Sequence, residues 1–516
     1  QSLGKFGGDT DNWEWPRHTA DFSMFRIYTD KDGKPASYSA DNIPLKPKYH
    51  FPISIKGLAE GDFAMIMGFP GTTERFLTSY GLEETMNITN RLTYEIRTVK
   101  INVLRKEMAA SQEVRIKYAS KYASCSNYWK YSLQQNKALK NLNTIEVKRE
   151  IERNYLNWAK TQESTKYTEA LSKIKNGYKG RAEAQVAIEY LSEGLLSGPE
   201  LLYFAFRQSN NIAEFLEGKD VEKNAELRKK TMKAIDDFYK NFDIEVERKL
   251  LTEMIDYTYK NLDKNYYPEF FDNVLAKKFK GNASKYADYI LKNSIFSSKD
   301  KLLAAIDGGK FRKTVVNDAA FAAGNSAMQM MRSIYNKTDK FDDDIADGEH
   351  YFVKGILKMN SEKFFAPDAN STIRLTYGNI KEYEPKDGVT YHFYTTLKGV
   401  IEKEDPNSTE FIVPEKIKTL YKNRDYGQYA DKNGELPVCF ITNNDITGGN
   451  SGSPVLDADG NLIGLAFDGN GEAMSGDIDF EENLQRCINL DVRYMLFIID
   501  KVADAKHLID EMTLVK

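Results

Sequence analysis

Thr447-Gly448-Gly449-Asn450-Ser451-Gly452-Ser453-Pro454 sets one serine among small, turn-forming residues, and the segments beside it read as sheet. Just downstream, Val455-Leu456 and Leu462-Ile463-Gly464-Leu465 flank Asp457-Ala458-Asp459-Gly460-Asn461, which is a hairpin pattern. Glycines ahead of the serine free the backbone to turn, so that the amides of Gly449 and Ser451 could converge on the oxyanion of a tetrahedral intermediate. Ser451 is therefore the candidate nucleophile. Alone, such a string is more often a plain Gly/Ser turn; the surrounding sequence has to decide.

Working outward, the last third is mostly sheet. Ile373, Leu375 and Tyr377 alternate with Thr372, Arg374 and Thr376, and Val389, Tyr391 and Phe393 repeat the same period. A closing helix is predicted over residues 494–512. Residues 21–71 read as short strands, with turns at Asp32-Gly33 and at Gly68-Phe69-Pro70-Gly71. Between these two β segments, apolar residues recur at helical spacing, as in Ile151, Tyr155 and Trp158, or Leu251, Met254, Ile255 and Thr258. A helical insertion to about residue 335 fits, and Asp342-Asp343-Asp344 reads as a solvated connection out of it. No internal repeat of 20–50 residues is found.

A chain of 516 residues exceeds the usual single core, so more than one domain is expected. With 41% hydrophobic and 29% charged residues and a net charge of −4, it lacks the basic excess that tracks phosphates, and nucleic acid is not an expected partner. No apolar run approaches the roughly 18 residues of a membrane span. Cys125, Cys439 and Cys487 are too scattered for a zinc site, and no metal or cofactor is expected.

A serine nucleophile needs a base and commonly a carboxylate that orients the base. Of five histidines, His50, His350, His392 and His507 lie in ordinary surroundings. His18 is three residues from Asp21, too close in sequence to be oriented by it.

The stretch Gly4-Lys5-Phe6-Gly7-Gly8-Asp9-Thr10-Asp11-Asn12-Trp13, continuing through Trp15-Pro16-Arg17-His18-Thr19 to Asp21-Phe22, resembles the bacterial serine dipeptidyl-peptidase family that includes dipeptidyl-peptidases 7 and 11. Gly68-Phe69-Pro70-Gly71, Ser126-Asn127-Tyr128-Trp129-Lys130, Thr396-Leu397-Lys398-Gly399 and the stretch from Asn444 to Pro454 are similar in the same order. The resemblance implies a mixed α and β fold: a chymotrypsin-like double β-barrel, its N-terminal barrel incomplete here, with a large inserted α-helical domain. Expected domains are then 1–75, the remainder of the N-terminal barrel; 76–368, the helical cap; and 369–516, the C-terminal barrel with its closing helix. Asp21 matches the family's triad aspartate, Ser451 its nucleophile, and the Gly449 and Ser451 amides its oxyanion hole. The family's histidine lies well upstream of the aspartate, and nothing before Gln1 is present, so the chain resembles an N-terminally truncated member.

By the same resemblance, Asn12, Trp13, Asn127 and Asp468 bind the substrate's free N-terminus, with Asn127 near the start of the helical block. A carboxylate about 4 Å from an ammonium gains roughly 4 kcal/mol at an effective dielectric near 20, whereas an internal peptide would leave Asp468 desolvated and unpaired. Gly469, eighteen residues past Ser451, matches the position that sets charge preference in the specificity pocket; glycine there implies an apolar or aromatic penultimate residue. The expected activity is release of N-terminal dipeptides through an acyl-enzyme on Ser451. The alternative is a catalytically inactive fragment that binds peptide N-termini, because the base is absent from this stretch. The family further implies peptide partners, a possible homodimer, and a home in the periplasm or cell envelope of a Gram-negative bacterium.

Overall fold

A computed structural model describes residues 2–309 and 311–516. The chain divides into two compact units: one comprises the segment ending at Phe76 with Lys137–Leu142 and Ala366–Lys516, the other Leu77–Asn136 with Asn143–Phe365.

In the first unit, thirteen short strands are described: β1 Tyr28–Thr29, β2 Ile43–Pro44, β3 Ile53–Ser54, β4 Phe63–Gly68, β5 Arg374–Asn379, β6 Tyr383–Lys386, β7 Val389–Tyr391, β8 Tyr394–Thr396, β9 Pro437–Thr442, β10 Pro454–Leu456, β11 Leu462–Gly469, β12 Cys487–Asp491 and β13 Leu514–Val515. Nine of them form one sheet in the order β5-β4-β10-β11-β12-β9-β8, with β3 joined to β11 and β13. β9 and β12 are buried at every position; β9 is nearly all apolar, whereas β12 also buries Asn489, which donates to the Phe440 carbonyl, and Asp491, which accepts from Arg493. The hairpin of β10 and β11 forms where the sequence places it, and Asp457 closes its turn by accepting from the amides of Asp459 and Asn461. This fold is mixed α and β, but no closed double barrel is found among the described residues.

One expectation is corrected here, the single closing helix over residues 494–512. Residues 21–71 hold the four short strands β1 to β4, as the sequence pattern predicts; β1 and β2 pair with each other alone, and Pro44 contributes no N–H, so that ribbon stays small. Phe25, Ile27, Tyr38 and Tyr49 consequently stay exposed. On β5 the alternation is right, but the apolar set is the exposed one, with Leu375 59% and Tyr377 76% accessible. The polar side is held instead, because Thr376 accepts from Asn444 through its carbonyl and from the Asp445 amide through its hydroxyl. Residues 494–512 are not one helix: Val492–Phe497 continues as a π-type turn to Val502, the backbone goes left-handed at Asp504, and β13 follows.

The second unit is helical. Leu251, Met254, Ile255 and Thr258 form the buried stripe of the helix Ile244–Asn261, as their period dictates. The stretch Asp342-Asp343-Asp344 is not a connection but lies inside the 41-residue helix Ala319–Met359. Asp342 earns its place there by accepting from Arg181 of the helix Thr165–Glu189 and from Thr338 one turn back.

Candidate active site

Ser451 lies exposed on the turn between β9 and β10, its hydroxyl 3.4 Å from the Phe467 carbonyl as its only hydrogen-bond partner among the described residues. The turn is built by close approach of two glycine-rich segments. Gly449 has φ +108°, and a Cβ there would lie 2.3 Å from the Phe69 carbonyl oxygen. Gly68 is equally constrained, since its Cβ would meet the side chains of Asn450 and Ser453 at 2.4 Å. The Gly71 amide completes the seam by donating to the Gly448 carbonyl at 2.7 Å. Thus the Gly68-Phe69-Pro70-Gly71 motif, read from sequence as a turn that ends a strand, also forms the bed on which the serine turn rests.

Six residues beyond the hairpin turn, β11 slips register against β12 between Ala466 and Asp468, leaving Phe467 as the extra residue of a bulge. The bulge divides labour between neighbours. Phe467 points its carbonyl at the serine, while Asp468 is 6% exposed and accepts from three donors. Its Oδ2 accepts from Arg17 Nη1 at 2.5 Å and from the Trp13 amide at 3.3 Å, and its Oδ1 accepts from the Gly469 amide at 2.9 Å. Burial pushes the Asp468 carboxyl above the ordinary carboxylate range, and Arg17 with the two amides pulls the other way. Trp13 delivers its amide from a left-handed backbone, φ +61°, an uncommon conformation for a bulky residue and one concentrated at functional sites.

This arrangement corrects one expectation. Asp468 is not a bare anion waiting for an amine, so an internal peptide would not leave it unpaired. Sequence reasoning passed over Arg17, which was quoted within a motif and given no role. A buried carboxylate cannot stay ionised without a counterion, and that requirement is the signal which could have found it.

Gly469 lies beside a short wall. A Cβ on it would sit 3.2 Å from the Ala473 Cβ, 3.6 Å from the Met474 methyl and 3.6 Å from the Arg486 carbonyl oxygen. The wall is held by Asn470, fully buried, which accepts from the amides of Ala473 and Arg486 and donates to the Leu484 carbonyl. Arg486 donates all five of its side-chain N–H groups to carbonyls, those of Lys381, Glu382, Glu482, Asn483 and Gln485. Its charge is spent inside the wall.

Asp21 is exposed and accepts no hydrogen bond among the described residues; crowding by its surroundings raises its carboxyl, opposed by Arg17 and Lys5. His18 is buried, with no partner for Nδ1, and burial together with Lys403 and Arg17 depresses it to about 3. Its Nε2 fills the space beside Gly399, where a Cβ would come within 2.0 Å, so the sequence motifs around His18 and Gly399 explain each other by packing. Asn12 is half-buried on the segment preceding Trp13. Asn127 belongs to the second unit and sits mid-helix in Gln112–Asn141 rather than at a cap.

The peptidase S46 family model matches residues 1–514. Dipeptidyl-peptidase 7 of Phocaeicola vulgatus is 46% identical over 525 residues, covering 100% of this chain and 71% of the relative. Dipeptidyl-peptidase 7 of Porphyromonas gingivalis is 44% identical, and the Asp/Glu-specific dipeptidyl-peptidase of the same organism 38%, with equal coverage. Among solved structures, Porphyromonas endodontalis DPP11 in complex with the dipeptide Arg-Glu superposes with a TM-score of 0.89 at 38% identity, over 99% of this chain and 73% of that one.

Proposed function

The chain belongs to the peptidase S46 family and is a peptidase, and from that premise we propose that it releases dipeptides from free N-termini of peptides with an apolar or aromatic second residue. In this reading Ser451 attacks the carbonyl carbon of the second peptide bond, a histidine outside this stretch takes its proton and passes it to the peptide amine that leaves as the C–N bond breaks, and Asp21 orients that histidine. The Gly449 and Ser451 amides hold the oxyanion, water then releases the dipeptide, and the sheet of the first unit is part of a chymotrypsin-like double barrel. Asn12, Trp13 and Asp468 fix the substrate's amine.

The observation that carries the reading is the wall beside Gly469. The side chains nearest Gly469 are apolar, Ala473 and Met474, and Arg486 keeps no N–H to bind a carboxylate. An acidic side chain entering there would lose its hydration without gaining a cation, whereas a Leu or Phe side chain would gain burial of roughly 1.5–3 kcal/mol. The test is a reporter series in the full polypeptide, varying the second residue among Leu, Phe and Asp. Leu and Phe are expected to exceed Asp by about tenfold or more in kcat/KM. Equal rates would refute the pocket assignment.

A further inference from the structure

The Trp13 segment and the Asp468 strand lie 455 residues apart in sequence, yet the Trp13 amide donates directly to the Asp468 carboxylate. One side chain reaches both sides of that junction. Arg17 is 6% exposed; its Nη1 donates to Asp468 Oδ2 and to the Asp11 carbonyl at 2.7 Å, its Nε donates to Thr19 Oγ1 at 2.7 Å, and its guanidinium stacks 5.2 Å from the Phe467 ring centroid. Thr19 is tied back in turn by donating to the Phe6 carbonyl, and Thr395 donates to the Arg17 carbonyl. The fork is thus fixed through Nε and Nη1 together, as a planar guanidinium allows and a lysine ammonium does not.

We propose that Arg17 is a positioning residue for recognition of the substrate's N-terminus: it acts through Asp468, holding that carboxylate ionised and aimed while clamping the Asn12-Trp13 segment to the strand that carries Gly469. The inference rests on the proposed dipeptide-releasing activity and deepens it. Arg17 balances the Asp468 charge in the resting protein, so the pair is buried as a neutral unit. An arriving ammonium then meets an acceptor already in place, which spares the site the reorganisation that a protonated or rotating carboxyl would need. The Cys487 thiol, on which Asp468 acts electrostatically, is fully buried and held protonated by that burial, and Arg17 is the largest source of opposite charge at Asp468.

The experiment measures kcat and KM in the full polypeptide, on a free-amine dipeptide reporter with Leu second, from pH 6 to 9. Wild type is compared with Arg17→Met, Arg17→Lys, Asp468→Asn and the Arg17→Met/Asp468→Asn double variant. Arg17→Met is expected to raise KM about 30-fold or more at pH 7, with kcat kept within about threefold. The KM ratio to wild type, in which the substrate's own titration cancels, should shrink as pH rises, because Asp468 without its counterion ionises only at higher pH. Arg17→Lys should recover part of the loss, and the double variant should be no worse than Asp468→Asn. A KM ratio flat across pH, or losses that multiply in the double variant, would overturn the inference. If Asp468→Asn raises KM and Arg17→Met does not, the Arg17 role alone falls; if Asp468→Asn leaves KM unchanged, the amine-anchor reading falls with it. Should Arg17→Met fail to fold, Arg17→Lys decides: raised KM with kcat kept supports the role, and lowered kcat with KM kept overturns it.

Discussion

Ser451 and Asp468 sit on either side of one hairpin and are treated in opposite ways. The serine hydroxyl is exposed and has one long contact, to the Phe467 carbonyl, while the carboxylate is buried and accepts from three donors. A group that must form a new bond has to be left under-satisfied, whereas a group that only recognises charge works best when its surroundings are already arranged. The extra residue at Phe467 makes this division possible within two positions of one strand.

The comparison breaks first at the serine. Ser451→Ala should lower kcat in the full polypeptide by on the order of 10⁵–10⁶, with KM little changed, measured with a free-amine reporter. Retained turnover would remove Ser451 from the chemistry. Next in size is its bed: Gly449→Ala would push a methyl onto the Phe69 carbonyl at a positive φ, displacing the amide proposed to hold the oxyanion, and should cost roughly 10²–10³ in kcat. An unchanged kcat would show that this amide does not serve the reaction. Gly469→Arg sharpens the recognition side by supplying a cation to a wall that has none free. It should move preference toward Asp and Glu reporters by about tenfold or more, and no gain on acidic reporters would show that position 469 does not line the pocket.

The smallest effect concerns stability. His18 is held near 3 in the folded chain and returns to about 6.5 when unfolded, so the unfolded chain binds the extra proton. The folded state therefore loses stability as pH falls from about 6.5 toward 3 and is unaffected above that window. In urea unfolding, the stability gap between wild type and His18→Gln should narrow by about 2 kcal/mol from pH 7.5 to pH 4.5. A constant gap would contradict a buried neutral His18.

Local patterns were legible and partnerships were not. Turn chemistry placed the hairpin at residues 457–461 and the serine between strand and turn, because glycine and aspartate act on their own neighbourhoods. The helical stripe of Leu251, Met254 and Ile255 was equally local. By contrast, which face of β5 is covered depends on Asn444 and Asp445, nearly seventy residues away, and alternation cannot tell one face from the other. The acidic run at residues 342–344 was misread because its helix is held by Arg181, a partner 161 residues distant. Arg17 escaped notice for the same reason: its purpose is set by a carboxylate 451 residues later.

The central claim is that the peptidase reads a free chain end before its serine acts. Measuring kcat/KM in the full polypeptide on one Xaa-Leu reporter, with its N-terminus free and then acetylated, tests this most directly. Acetylation is predicted to reduce cleavage by about 100-fold or more, since it removes the ammonium and places a neutral amide against a buried carboxylate. Equal cleavage of the two reporters would contradict the account.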